Sequence, residues 1–402
     1  MINRETIKYS LRNMKKSKER NALTIFSILI GITTIFIFIS FGLGLYNYVD
    51  EMAQSSSADK IVVQAKGMGM PGSDLSFKLT NSDLEAIEKV SGVATVTGTY
   101  YRTVGISKKG ENKYTFLVSY DPKVPIISDL TNIKILNGRD LRGKDKGNVV
   151  LGYAYIKDGT IFDKGYKIND KIKTDFGELK VIGFYEEVGS PTDDAQMYIT
   201  NQYFEELYPE ESSYAMIIVK VENKNEINQI TERIEKELRK NRDQKEGQED
   251  FFVQSFEEMI ETYSSALDIV IGFIILIALI SILVSSVNTA NTMITSVLER
   301  YKEIGVLKAI GAKNSDIFGI FLFESSVLGL TAGIIGTIFG IILSYIGKII
   351  LIELGWSFLR PLYSFELIAG CILFATLTGA ISGVIPALRA SKISTVKALR
   401  YE

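Results

Sequence analysis

The sequence predicts an α-helical membrane protein with four transmembrane helices and a large extracytoplasmic α/β (α+β) domain. That domain is expected to contain a split ferredoxin-like unit and a β-rich insert. Three observations predict this class. Four long, nearly uncharged apolar runs are spread over 402 residues. Lysine and arginine gather at one set of run ends, as cytoplasmic segments do. The residues between the first two runs alternate strand and helix patterns.

In chain order, residues 1–21 come first. Ile7, Leu11 and Met14 recur at helical spacing among Arg4, Lys8, Arg12, Lys15, Lys16, Lys18 and Arg20. A cytoplasmic amphipathic helix lying on the inner leaflet fits; an unstructured basic tail is the alternative. Residues 22–46 form the first span. At about 1.5 Å per residue, Ala22 to Leu45 crosses a hydrocarbon core of roughly 30 Å. The run is too long for a signal-peptide core and lacks a clean cleavage site.

Residues 47–266 are the outer domain. A strand at IVVQA, a helix over LEAIEKV capped within Asn81–Asp83, and a strand at VATVTGTY make one β-α-β half. A strand at AMIIVKV, an amphipathic helix from Glu226 to Lys240 and a strand at FFVQS make the other. Ile227, Ile230, Ile234 and Leu238 share one side of that second helix. The order resembles a split ferredoxin-like unit. The insert between the halves includes GNVVLGYAY and KIKTDFGELKVIGFYEE, with a turn at Asp175-Phe176-Gly177. Tyr153, Tyr155, Asp193 and Asp194 show no active-site spacing and read as ordinary surface and core residues.

Residues 267–298 are the second span, its helix continuing through Asn288, Asn291 and Thr295 into the cytoplasm. Residues 299–314 follow as a short charged helix, 315–346 as the third span, 347–364 as an external loop, 365–388 as the fourth span and 389–402 as a cytoplasmic tail. Arg300, Lys302, Lys308 and Lys313 mark the 299–314 segment, and Arg389, Lys392, Lys397 and Arg400 the tail; residues 347–364 hold only Lys348 and Arg360. This asymmetry places both termini inside and residues 47–266 outside. Gly329, Gly333, Gly336 and Gly340 form a ridge on span three; Gly379 and Gly383 form G-x-x-x-G on span four. Small residues let membrane helices approach closely, and packing within one chain is expected ahead of packing between chains. Glu324 is a carboxylate in an apolar span, and so a candidate functional residue. Snorkelling, or a hydrogen bond to a neighbouring helix, is its favoured role.

Composition narrows the function. The net charge of −2 offers no field for nucleic acid. Histidine is absent, and Cys371 is the one cysteine. His-based catalysis and an intrachain disulfide are excluded, and no catalytic, cofactor or metal residue is assigned. One match misleads: Gly138-Arg-Asp-Leu-Arg-Gly143-Lys144-Asp145 fits G-x-x-x-x-G-K. A phosphate loop needs Ser or Thr where Asp145 stands, and a helix afterwards. A glycine-rich turn is the better reading.

The stretch ERYKEIGVLKAIGAKNSDI begins at Glu299. Tyr301, Ile304 and Leu307 share a face, Gly311 suits the residue after the helix end, and Asn314 or Ser315 can cap the next helix. This stretch and the following FLFESSVLGLTAGIIGTIFG resemble the FtsX-like permease domain of ABC transporters, over residues 267–402. The closing IPALRASKISTVKALRYE resembles that family's C-terminal end. GNVVLGYAYIKD and KINDKIKTDFGELKVIGFYEE resemble the extracellular core domain of MacB-like permeases.

The resemblance implies a four-span permease subunit of the cell membrane that works as a dimer, here a homodimer. A separate ABC ATPase subunit would bind ATP and Mg2+, since no ATPase is fused to this chain. ATP-driven closure would pass to the outer domain for export or extraction of a drug, peptide, lipid or lipoprotein, possible adaptors or effectors standing outside. The alternative is a signalling or scaffold protein that activates an extracellular partner such as a cell-wall hydrolase. The resemblance assigns ATPase coupling to Glu299, Arg300, Tyr301, Glu303, Ile304, Gly305, Leu307, Lys308 and Gly311. Tyr301, Ile304 and Leu307 are the expected docking seam, Glu303 and Lys308 its charged flanks.

Overall fold

A computed structural model describes residues 18–54, 59–66, 78–124, 134–209 and 213–400. The amphipathic helix expected over residues 1–21 falls mainly outside the described residues. The chain divides into two compact units. One holds Met1–Tyr46, Ala266–Ile350 and Leu359–Glu402; the other holds Asn47–Ser265 and Leu351–Phe358.

In the second unit, β1 (Lys60–Ala65), α2 (Asn81–Glu88) and β2 (Val93–Thr99) form the first β-α-β half. The strand β10 (Met216–Val221), helix α4 (Ile227–Asn241) and strand β11 (Phe251–Ser255) form the second. The strands assemble as β11-β1-β10-β2, all antiparallel. Thr80, rather than Asn81 to Asp83, is the N-cap of α2; the Asp83 side chain accepts from the Thr80 N–H at 2.9 Å. Ile87 from α2 and Ile230, Ile234 and Leu238 from α4 bury against the sheet. Arg242, just past α4, donates to Asp83 at 2.9 Å and to Asp250 at 2.8 Å, tying both helices to the start of β11.

Between the halves lie β3 (Tyr101–Lys108), β4 (Glu111–Tyr120), β5 (Ile135–Gly138), β6 (Asn148–Leu151), β7 (Lys171–Thr174), β8 (Gly177–Tyr185), β9 (Met197–Thr200) and the helix α3 (Asn201–Leu207). The order is β5-β8-β6-β9-β4-β3-β7, and β7 also pairs with β8. That last pairing closes six strands into a ring, leaving no open edge among them. The strand β5 adds onto β8. Val149, Leu151, Leu179, Val181 and Met197 fill the core beside the ring.

Gly138 to Asp145, the phosphate-loop match, is the turn between β5 and β6. Arg139 grips Asp145 through both amine groups, at 2.6 and 2.9 Å, and the Asn148 side chain adds a third donor at 3.0 Å. A strand follows, where a phosphate loop needs a helix. Asp194 is buried and accepts the backbone N–H groups of Val188 and Gly189 at 2.8 and 2.9 Å. Burial raises its carboxyl above the usual range. It orders the 188–194 loop, and Tyr155 sits in the core.

The first unit holds most of the helices long and apolar enough to cross a membrane: α1 (Lys18–Gln54), α5 (Phe256–Glu299), α7 (Asn314–Glu353) and α8 (Phe365–Ser391). Long apolar stretches such as Ala22–Leu45 sustain these helices beyond the needs of a soluble core. The glycine ridge packs within the chain. A side chain at Gly329 or Gly333 would collide with Ala375, Ile372 or Gly379 of α8, and one at Gly336 or Gly340 with Leu29, Ile32 or Phe36 of α1. Spans one, three and four therefore form a close-packed bundle.

Candidate functional site

The candidate site is the junction at one end of this bundle. The long α5 stops at Glu299. Arg300, at φ −101° and ψ 16°, breaks the helix, and α6 (Tyr301–Ala309) begins. The second-span helix thus runs on to Glu299, and a one-residue break separates it from the charged helix. Glu303 in the first turn of α6 and Lys308 in the last complement the helix dipole. Gly311 ends the segment at φ +106°, a conformation that suits glycine alone. Lys313, rather than Asn314 or Ser315, precedes α7; its N–H donates to Asp316 at 3.0 Å.

Arg300 fills the corner. Its guanidinium donates to Glu324 of α7 at 3.0 Å and to Glu303 at 3.1 Å, and lies 4.9 Å from the centre of the Phe321 ring. Glu324 is 3% exposed. A carboxylate that far from water needs a fixed cation beside it, and the hydrogen bond expected from a neighbouring helix comes from Arg300. Arg20, at the start of α1, pairs with Glu299 at the end of α5.

The apolar face of α6 turns inward. Ile304 is 1% exposed and packs among Met293, Val297, Ile317, Ile320 and Phe321. Leu307 packs against the same cluster. Tyr301 is half-buried and borders a cavity of about 230 Å3 with Leu298, Pro386 and Arg389. Gly305 is buried against Ala398 of α9 (Thr395–Arg400). This corrects the expected docking seam: Ile304 anchors α6 to its own chain, because the membrane helices present a larger apolar surface than the solvent side. Lys308 is no rim charge either. Its amine donates to the carbonyls of Ser391 and Ile393 at 2.6 and 2.8 Å, closing the C-terminal end of α8.

What α6 shows outward is Lys302, Glu303, Val306 and Ile310. Val306 is 49% and Ile310 78% exposed. Their four-residue spacing was visible in the sequence; that this stripe, and not Ile304, stays uncovered was not. The Arg20–Glu299 pair and Phe321 carried no sequence signal, being far from their partners along the chain.

The chain resembles known proteins along nearly its whole length. Residues 21–237 match the MacB-like periplasmic core domain, and residues 266–395 match the FtsX-like permease C-terminal domain. The chain is 34% identical over 400 residues to the uncharacterized ABC transporter permease MJ1507 of Methanocaldococcus jannaschii, covering 99% of this chain and 98% of that protein. It is 26% identical over 415 residues to the uncharacterized ABC transporter permease YknZ of Bacillus subtilis, covering 99% of each. It is also 26% identical to the macrolide export ATP-binding/permease protein MacB of Bdellovibrio bacteriovorus, covering 99% of this chain and 62% of that protein. Among solved structures, the periplasmic region of MacB from Actinobacillus actinomycetemcomitans aligns with 54% of this chain and 97% of its own, at 17% identity and a TM-score of 0.42. Four apolar helices and a periplasmic-type domain make this a membrane protein with an extracytoplasmic domain. With one family model on each part of the chain and a full-length relative at 34% identity, the chain belongs to the MacB-like, FtsX-type family of ABC transporter permeases.

Proposed function

We propose that this chain is the permease subunit of an ABC transporter whose ATPase is a separate subunit docking on the outward face of α6. The observation that carries the reading is the two-sidedness of α6. One face is locked into the membrane bundle, and the other offers exposed Val306 and Ile310 flanked by Lys302 and Glu303. A short helix built this way passes a push from a partner into the spans. ATP and Mg2+ then belong to the partner. The distribution of lysine and arginine supports cytoplasmic termini, a cytoplasmic α6 and an outer domain over residues 47–266.

A second copy of the permease completes the unit. Exposed Ile269, Phe273, Leu276 and Ile280 on α5 support an additional apolar neighbour there. Movement of the spans drives the outer domain to export or extract a drug, peptide, lipid or lipoprotein; a relative named for macrolide export supports that class.

Co-purification tests the reading. The full chain is expressed with its ABC ATPase and captured through a tag. Each apolar anchor contributes about 2 kcal/mol or more when it fills a partner pocket, so Val306→Asp with Ile310→Asp is expected to lower ATPase recovery at least about ten-fold. Tyr114→Ala, an exposed change in the outer unit, leaves recovery unchanged. Wild-type recovery with the double variant would remove α6 as the docking element.

A further inference from the structure

We infer that Arg300 and Glu324 form the link that carries displacement of α6 into the third span, so that α6 moves as one body with spans three and four. The inference rests on the reading of α6 as the docking helix.

The bend at Arg300 and the packing of Ile304 among Met293 and Val297 join α6 to the second span. A bend of this kind is a soft corner. A helix pushed at its outer face pivots there unless side chains brace it. Beyond this apolar packing, two polar braces are described, one at each end of α6. At the front, the Arg300 guanidinium joins Glu303 in the first turn of α6 to Glu324 in α7 and rests on Phe321. At the back, Lys308 holds the Ser391 and Ile393 carbonyls at the end of α8. The two braces reach different spans, and those spans are themselves in backbone contact at Gly329 and Gly379.

The front brace is the stronger of the two. Glu324 is nearly inaccessible to water, so separating it from Arg300 leaves a buried carboxylate without its hydrogen-bonded cation. Arg300 also has the geometry for the task. Its planar fork presents donors in several directions at once, which the point charge of a lysine does not. Displacing α6 therefore drags the third span before it breaks the pair. Glu324 is buried away from the exposed face formed by Val306 and Ile310, and Arg300 reaches only its flank, through Glu303, so changes at Glu324 separate docking from transmission.

The test uses the full permease–ATPase complex in lipid nanodiscs, with three readouts. Recovery of the ATPase reports docking. Stimulation of ATP hydrolysis by the permease reports transmission. Maleimide labelling of Ile304→Cys, in a Cys371→Ser background, reports whether α6 stays seated. Glu324→Gln is expected to keep ATPase recovery within about two-fold, because it leaves the outward face intact. It is expected to lower stimulation at least about ten-fold, as loss of one partner of a buried charge pair does. It should also open the thiol introduced at position 304 to maleimide. The exchange Arg300→Glu with Glu324→Arg restores the opposite charges, and is expected to recover part of the stimulation and the protection of that thiol.

Arg300→Lys covers the case in which the other variants fail to insert, since it keeps the charge. It is expected to retain docking but lose most of the stimulation, for want of the fork. Wild-type stimulation with Glu324→Gln, or with Arg300→Lys if only that variant inserts, would overturn the inference. Unchanged ATPase recovery in the Val306→Asp, Ile310→Asp variant would instead overturn the docking reading beneath it.

Discussion

Gly329 and Gly379 meet backbone to backbone where the third and fourth spans cross. A β-carbon on Gly379 would lie 2.9 Å from the Gly329 Cα and 2.5 Å from the Ser325 carbonyl oxygen. Neither neighbour is a flexible side-chain end, so the helices must separate to admit one.

Gly379→Ala is therefore expected to destabilise the bundle by about 1–3 kcal/mol, the usual cost of overpacking. Gly370, on the same helix, has no atom within 4 Å of its added β-carbon. There the same substitution is neutral or stabilising, since alanine is the better helix former. Thermal unfolding of the two variants in detergent checks the opposite signs. A matching loss at both positions would show that the crossing is looser than the geometry requires.

Asp145 gives the outer domain an acid-dependent contribution. The hydrogen bond from Arg139, with further bonds from the Arg142 backbone and Asn148, holds its carboxyl below the usual carboxylate range. A lowered folded value means that the stabilisation is complete above the unfolded value of about 3.9. It is lost as pH falls through the folded value. Because Arg139 is partly exposed, solvent screening limits the effect to about 1 kcal/mol. Asp145→Asn should thus unfold earlier than wild type at pH 7, and the gap should close only well below about pH 3.9, as pH falls through the lowered folded value. Denaturant titrations at both pH values measure it, and a gap that persists at low pH contradicts the assignment.

Gly311 sits at φ +106° with open space around its Cα. The obstacle to a side chain here is the backbone conformation, not crowding. Gly311→Val is expected to cost at least about 1 kcal/mol and to misplace α6 against α7, lowering stimulation of the ATPase. Gly311→Asn, which tolerates positive φ better, should retain more of both stability and stimulation. Equal losses for the two variants would point to a lost contact rather than strain.

Single cysteines report the orientation of the chain. In a Cys371→Ser background, an impermeant maleimide added to intact cells should label Lys144→Cys in the outer domain and leave Lys302→Cys on α6 unlabelled. Both lysines are exposed on their own units, so differential labelling reads the side of the membrane. Labelling at position 302 from outside would reverse the proposed topology.

Four apolar helices, the two β-α-β halves of the outer domain and the turn at Gly311 are legible along the chain. Each depends on local properties: the length of an apolar run, the period of its side chains, or the backbone freedom of one residue. The sequence also singles out Glu324, because a carboxylate is conspicuous in an apolar span. Which cation pairs with it depends on folding, since Arg300 stands 24 residues away and is brought near by the bend between α5 and α6. The same holds for α6 itself. Its pattern puts Ile304 on the face expected to dock, whereas packing against Met293, Ile317 and Phe321 buries that residue and leaves Val306 exposed. Lys308 reads as a free surface charge until the end of α8, 83 residues on, supplies the Ser391 carbonyl. Ring closure in the outer domain belongs to the same category: it needs β7 to pair with both β3 and β8. Which face is buried and which charge is paired depend on neighbours distant in sequence, and a local pattern does not encode them.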